Sequence, residues 1–255
     1  MKEIEGLRKQ IDERISFIIS PYPPSLLKSA IEYSLFPGGK RIRPILCLLS
    51  CSAVNGRKED ALDVASAIEL THTYSLIHDD IMDYDEKRRG KPSVYKKYGI
   101  PLAILAGDGL LTLAFEILSD YPLISKEIAK AIGIEGMVFG QAEDILKSQE
   151  SRVKSQESNE DVNLNKTAKL FMASCVSGGI IGGGNKEQID ALREFGLNFG
   201  LLFQLKDDLD DKRINLEDYK KNSQSFLNKT TSSLSIFKEK GDFLLYYLKI
   251  FKPKV

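Results

Sequence analysis

Two long stretches of helical periodicity, residues 59–83 and 186–211, end in the same pattern, DDxxD. The first closes on Asp79, Asp80 and Asp83, the second on Asp207, Asp208 and Asp211. On a helix, residues four apart lie one turn apart on one face, so Asp79 stacks with Asp83 and Asp207 with Asp211. Stacked carboxylates repel, by about a few tenths of a kcal/mol when exposed and by more when buried. A chain that builds such a site twice has cations to fill it. Oxygen-only ligands without His or Cys suit hard ions, Mg²⁺ first, which is usually held by one or two carboxylates plus phosphate.

Helical periodicity dominates the remainder and strand alternation is scarce. The pattern predicts helices over 4–20, 24–36, 41–54, 59–83, 93–99, 101–119, 124–147, 163–183, 186–211 and 234–250. Pro21, Pro23 and Pro24 separate the first two, Pro37-Gly38-Gly39 stops the second, and Pro92 and Pro101 punctuate the middle. No composition shift marks an interior boundary, so residues 1–255 read as a single all-α domain. The near-copies LKSQESR (146–152) and VKSQESN (153–159) lack an apolar seam and read as a solvated loop. SGGIIGGGNK (177–186) follows a helix rather than a strand and lacks a GK[ST] ending. It reads as a helix end or close helix packing, not a phosphate loop.

Basic and acidic residues balance at 36 each, which gives no global charge to favour nucleic acid. Cys47, Cys51 and Cys175 form no CxxC pair and no even framework, as expected in a reducing compartment. The opening MKEIEGLRKQIDERI is charged and helical rather than a signal peptide. No apolar run is read as reaching membrane-spanning length. The expectation is a cytoplasmic protein without stable membrane insertion.

Several cations answer the acids. GGKRIRP (38–44) places Lys40, Arg41 and Arg43 where a helix begins. Helix N-termini attract anions, and Arg adds bidentate hydrogen bonds, although the segment taken alone is equally a solvated helix start. Arg88 and Arg89 follow the first acidic cluster. Lys166 with Thr167, and Lys229 with Thr230 and Thr231, are weaker signals. His72 lies two turns before Asp79 on the same helix face and is read as a ligand contact. His78 points elsewhere and reads as structural. One chemistry needs all of these groups: cleavage of a carbon–oxygen bond to a diphosphate, with metal and Arg/Lys sharing the departing charge. An apolar helical enclosure then keeps water from the carbocation.

From Tyr33 to Thr231 the chain is similar to the trans-isoprenyl diphosphate synthases, the polyprenyl synthetase family. The segments that carry the resemblance are YSLFPGGKRIRP, AIELTHTYSLIHDD, DEKRRGKPSVYKKYG, ILAGDGLLTLAFEIL, GQAEDI, NKTAKLF and FGLLFQLKDDLDD, in that order. The resemblance implies the isoprenoid synthase fold, a single-domain barrel of about ten antiparallel helices around a central cavity. It implies that Asp79, Asp80 and Asp83 hold Mg²⁺ on one side of an allylic diphosphate, and Asp207, Asp208 and Asp211 on the other. Arg88, Lys166, Gln204 and Lys229 would contact that diphosphate. Lys40, Arg43, His72 and Arg89 would hold isopentenyl diphosphate. Thr167 and Gln204 would present oxygen dipoles to the cation. A homodimer packed through helices such as 101–119 is implied as well.

Product length is expected to depend on what lies below the first cluster. Ser75, one turn of about 5.4 Å before Asp79, leaves that depth open, whereas Tyr74 is bulky. Relatives with an aromatic five before the cluster, and no insertion inside it, resemble geranylgeranyl diphosphate synthases. The expected product has twenty carbons, with farnesyl diphosphate as the alternative. If Tyr74 only packs against a neighbouring helix, deeper residues set the length. The resemblance departs after the second cluster, where KRINLEDYKKNSQSFLNKTT contains no glycine, Lys221 standing in for an earlier lysine and the C-terminal part reading shorter than usual. A terpene cyclase would carry an Asn/Ser/Glu triad in place of DDLDD. A non-catalytic subunit of a heteromeric synthase would tend to lose one acidic cluster. The tail YYLKIFKPKV reads as an ordinary terminal helix rather than a membrane dock.

Overall fold

The helix that ends in the first acidic cluster is buried almost all round, as its lack of a one-sided apolar stripe requires. A computed structural model describes residues 2–36, 39–149 and 164–249 of the chain. Among them the only strands are two residues long, and all other regular structure is helical. The chain falls into two units, Met1–Ile45 with Leu62–Pro122, and Leu46–Ala61 with Leu123–Val255.

The first unit contains α1 (Lys2–Ile19), α2 (Leu26–Leu35), the start of α3 (Ile42–Ala53), α4 (Leu62–Met82), α5 (Val94–Tyr98) and α6 (Ile100–Leu118). A hairpin, β1 (Lys87–Arg88) and β2 (Lys91–Pro92), pairs Lys87 with Pro92 and Arg88 with Lys91. Its turn has Arg89 at φ 52° and Gly90 at φ 76°, the two positive values that a tight, right-twisted hairpin demands. α4 packs against α1, α2, α5 and α6. Where α4 meets α6, a Cβ on Gly107 would fall 2.2 Å from His78 Nε2. His78 Nε2 lies 3.2 Å from the Ile104 carbonyl, the structural placement its position suggested.

α6 overturns one expectation. At 19 residues it is long and apolar enough, by length and composition, to cross a membrane. Most of it is not buried within the chain, and Ile100, Ile104 and Leu105 are exposed. Asp108 and Glu116, spaced along it, hide this continuity from a reader looking for an uncharged run.

The second unit contains the rest of α3, a 3₁₀ turn (Lys58–Ala61), α7 (Pro122–Ile132), α8 (Met137–Gln149), a π-helical turn (Leu164–Ala168), α9 (Lys169–Ile181), α10 (Lys186–Asp210), α11 (Leu216–Ser233), a second 3₁₀ segment (Ser235–Gly241) and α12 (Asp242–Lys249). α10 starts on a capping box: the Asn185 side chain accepts from Gln188 N at 2.9 Å, and Gln188 accepts from Asn185 N at 3.0 Å. Its core is aromatic. Phe171, Phe195, Phe199 and Phe203 form ring pairs 5.2–5.7 Å apart, and Tyr247 stacks on Phe199. α10 packs closely on α9, where Gly196 lies over Met172, and on the π turn, where Gly200 lies over Ala168.

The glycine-rich stretch after Ser177 is a packing device. A Cβ on Gly178 would fall 2.0 Å from the Cys47 carbonyl, so α9 and α3 touch backbone to backbone. The helices depart from expectation in several places. The stretch 124–147 breaks into α7 and α8 around Gly133 and Gly136, and the latter sits against the Ala131 carbonyl. The glycine-free segment after the second acidic cluster is a full helix, α11, where no helix was expected. The tandem repeat lies largely outside the described residues, although its opening continues α8 to Gln149, and the end of the basic tail lies outside them too.

Candidate active site

The two acidic clusters have the same local build. In the first, Asp83 N bonds the Asp79 carbonyl at 2.8 Å, Tyr84 follows at φ 57°, and Asp85 N bonds back to the Asp80 carbonyl at 2.9 Å. In the second, Asp211 N bonds the Asp207 carbonyl at 2.9 Å, Lys212 follows at φ 60°, and Arg213 N bonds back to the Asp208 carbonyl at 2.8 Å. Each helix therefore ends in a Schellman motif at the same register relative to DDxxD. This places six carboxylates at helix C-termini, where the dipole already carries negative charge. Each acid there is disfavoured by about 0.3–1 kcal/mol.

The second aspartate of each cluster is held by protein cations. Asp80 is buried and accepts from Arg88 Nε at 2.7 Å and from its Nη2. Burial raises the Asp80 pKa, and Arg88 opposes the rise. Asp208 accepts from Gln204 Nε2 at 3.0 Å and Arg213 Nη1 at 3.3 Å. Arg213 also reaches Asp211 at 3.1 Å. Among the described residues no three acidic, His or Cys side chains converge as a ready cage. A pair of carboxylates one turn apart, oxygen-only and set against the dipole, nevertheless fits Mg²⁺, which takes few protein ligands and completes its shell with phosphate and water. The donor chemistry fits the metal.

Cations gather beside the first cluster. Arg43 Nη1 lies 3.2 Å from His72 Nε2. A guanidinium only donates, so Nε2 accepts and Nδ1 carries the proton. Burial, then Arg43, Arg89, Arg41 and Arg88, push the His72 pKa well below its usual value. His72 is a neutral acceptor that orients Arg43. Arg89 reaches solvent, yet partial loss of hydration lowers its pKa, with Arg41 and Arg88 adding to the effect and Glu69 opposing it. Its guanidinium packs against Gly39, where a Cβ would fall 2.5 Å from Nη2, so the turn carrying Lys40 and the Arg89 side chain lie in close contact. Lys40 is exposed.

Tyr74 is buried, with its ring edge-on to His78 at 5.6 Å, and burial followed by the Asp79 charge pushes its hydroxyl up to about 12. Ser75 is buried and donates to the His72 carbonyl at 2.8 Å.

In the second unit, Thr167 Oγ1 donates to Gln204 Oε1 at 2.9 Å, which joins the π turn to α10 and, through Gln204, to Asp208. Lys166 Nζ donates to Asp144 Oδ2 at 2.6 Å. The turn is seated on α8 at Gly140, where a Cβ would fall 2.5 Å from Lys166 N. Lys229 is exposed on α11. Sequence reasoning missed Asp144, the last charged residue of GQAEDI, and Arg213, which follows the second DDxxD; position within quoted segments was their only signal. Arg41 was read as one more cation, and the structure shows it buried instead.

Residues 24–239 match the family model described as Polyprenyl synthetase. The chain belongs to the polyprenyl synthetase family. Among its polyprenyl synthetase relatives, the chloroplastic geranylgeranyl pyrophosphate synthase of Capsicum annuum is 44% identical over 217 residues, 81% of this chain and 58% of that protein. Geranylgeranyl pyrophosphate synthase 4 of Arabidopsis thaliana is 41% identical over 222 residues, 83% of this chain and 59% of that protein. The chain thus spans somewhat under two thirds of the length of these relatives. Solved structures are similar over nearly their full length. A geranyltransferase from Legionella pneumophila superposes with a TM-score of 0.88 at 32% identity, covering 98% of this chain and 95% of that one. An FPP/GFPP synthase from Zymomonas mobilis gives 0.86 at 36% identity, covering 95% of each. The all-α fold is that of these synthases.

Proposed function

We propose that the chain is a Mg²⁺-dependent trans-prenyltransferase that adds isopentenyl diphosphate head-to-tail to allylic diphosphates, with a twenty-carbon product. The observation that carries this is the pair of DDxxD helix ends with one shared geometry, both loaded with acid against the dipole. Such an arrangement is costly without a bound cation, and diphosphate chemistry supplies the remaining ligands. Bound Mg²⁺ would be held through Asp79 and Asp83, and through Asp207 and Asp211, and would supply charge neutralisation for a departing diphosphate.

The chain's own residues do the rest. Lys40, Arg43 and Arg89 hold the isopentenyl diphosphate, with neutral His72 fixing Arg43. Arg88 holds Asp80 in place and is the diphosphate contact of the first unit, and Lys166 and Lys229 are the diphosphate contacts of the second. Thr167 donates its proton to Gln204, which leaves its oxygen lone pairs for a cationic centre. The allylic carbon–oxygen bond breaks, the double bond of isopentenyl diphosphate attacks the cation, and released diphosphate takes the proton. The reading is tested by incubating the chain with Mg²⁺, labelled isopentenyl diphosphate and each allylic primer, then separating the prenols by length. Twenty carbons are expected, and Tyr74→Ala is expected to lengthen them. Fifteen carbons would reject the length assignment, and no elongation would reject the enzyme.

The apolar, exposed face of α6 supports a second copy of the chain as partner. Two Arabidopsis thaliana relatives are named large subunits of heterodimeric geranylgeranyl pyrophosphate synthases. Leu105, 55% exposed, is the residue to change. Sedimentation of the wild type is expected to show a dimer and Leu105→Glu a monomer; a wild-type monomer would end the homodimer reading.

A further inference from the structure

We propose that Arg41 is a positioning residue for the cradle at residues 39–43 and that, through Asp12, helix α1 belongs to that cradle. The inference rests on reading this turn as the seat of isopentenyl diphosphate. Lys40 and Arg43 are the turn's cations for substrate, but Arg41 between them faces inward with no exposed side-chain surface. Its Nε donates to Asp12 Oδ1 at 2.8 Å, its Nη1 to Glu69 Oε1 at 2.6 Å and its Nη2 to the Leu35 carbonyl at 2.7 Å. One guanidinium joins α1, α4 and the last residue of α2.

The backbone shows why this matters locally. Arg41 sits at φ 51°, an uncommon conformation for a residue that carries a side chain, and it turns the chain sharply at the start of α3. Its carbonyl accepts from Ile45 N at 3.1 Å, so Arg41 is the residue from which α3 departs. Two residues on, α3 carries Arg43, and two residues back Gly39 lies against the Arg89 guanidinium. A tilt at Arg41 would move Arg43 away from His72 and drive the turn into Arg89. Charge tells the same story. Asp12 and Glu69 occupy Arg41, which leaves the substrate-facing positive charge to its neighbours. Lysine cannot replace it, because an ammonium is a point charge without the planar fork that spans three acceptors on three elements. Asp12 lies before residue 24, outside the segment that matches the family model.

The test is steady-state kinetics on the full chain with Arg41→Lys, Asp12→Asn and Asp12→Glu, each assayed well below its own unfolding midpoint. For Arg41→Lys, KM for isopentenyl diphosphate is expected to rise about tenfold, the scale of a misplaced binding group. KM for the allylic primer should stay within about twofold. Asp12→Asn should show the same split more weakly, and Asp12→Glu should restore it. A purely structural role would lower the midpoint and leave the split absent. The proposal is overturned if both lysine and asparagine variants keep their KM for isopentenyl diphosphate, or if both substrates' KM values rise together. Should Arg41→Lys fail to fold, Asp12→Asn decides, because that carboxylate is one third exposed, at 34%. Should the wild type elongate no primer, the functional reading falls. Calorimetric binding of isopentenyl diphosphate to wild type and Asp12→Asn then makes the comparison, and equal or absent binding overturns the cradle as well.

Discussion

Asp79→Ala is expected to lower prenyl elongation by about 10²–10³-fold or more, the scale of losing a group that stabilises transition-state charge. The fold should survive. The Asp79 carbonyl, not its carboxylate, accepts the helix-terminal bond from Asp83 N, so the Schellman ending does not need the side chain. Removing a carboxylate from a helix C-terminus also relieves a dipole repulsion of about 0.3–1 kcal/mol, so the thermal midpoint should hold or rise. Activity and stability moving apart is the signature of a residue kept for chemistry. Asp80→Ala is the contrast, because it removes the buried partner of Arg88 and should lower both. Incorporation of labelled isopentenyl diphosphate and thermal melts of both variants make the check. Near-normal turnover of Asp79→Ala would remove this helix end from the reaction.

Legibility followed where side-chain chemistry coincided with periodicity. α4 and α10 were readable because each carries a long helical pattern that stops on a DDxxD, and the structure ends them at Met82 and Asp210. α11 was not readable, for a physical reason. Its buried positions include Ser223, Thr230 and Ser233, so its inner face looks polar in sequence. The hydroxyls bond carbonyls of their own helix, as Thr230 does to Phe226 at 2.5 Å, and so tolerate burial. The break between α7 and α8 was hidden because Gly133 and Gly136 act through close backbone approach, which leaves no periodic trace. In the site, residue types were legible and directions were not. Lys40, Arg41 and Arg43 look alike in GGKRIRP, and only φ 51° at Arg41 turns the middle one into the core. Asp80 and Asp208 look like their neighbours too, yet each is held by an arginine that follows its cluster.

The same substitution, glycine to alanine, is expected to have opposite signs at two helical positions. Gly6 lies inside α1 with nothing within 4 Å of the place a Cβ would take. Alanine there removes the conformational freedom that glycine gives the unfolded chain, and should stabilise by about 0.5–1 kcal/mol. Gly178 is also inside a helix, α9, and would gain the same amount from propensity alone. Its Cβ, however, would fall 2.0 Å from the Cys47 carbonyl and 3.0 Å from Cys51 N. Both struck atoms are helix backbone, which cannot swing aside as a side-chain end can, so α3 and α9 must separate. Overpacking of this kind costs about 1–3 kcal/mol and sometimes more, so Gly178→Ala should be net destabilising by about 2 kcal/mol. In a chain of this size each kcal/mol moves the midpoint by roughly 2–4 °C, which puts the two variants on opposite sides of the wild type. Thermal melts of the three proteins under one condition test it. A Gly178→Ala midpoint at or above the wild type would mean that the helices part without loss. The glycine-rich stretch after Ser177 would then be there for something other than close packing.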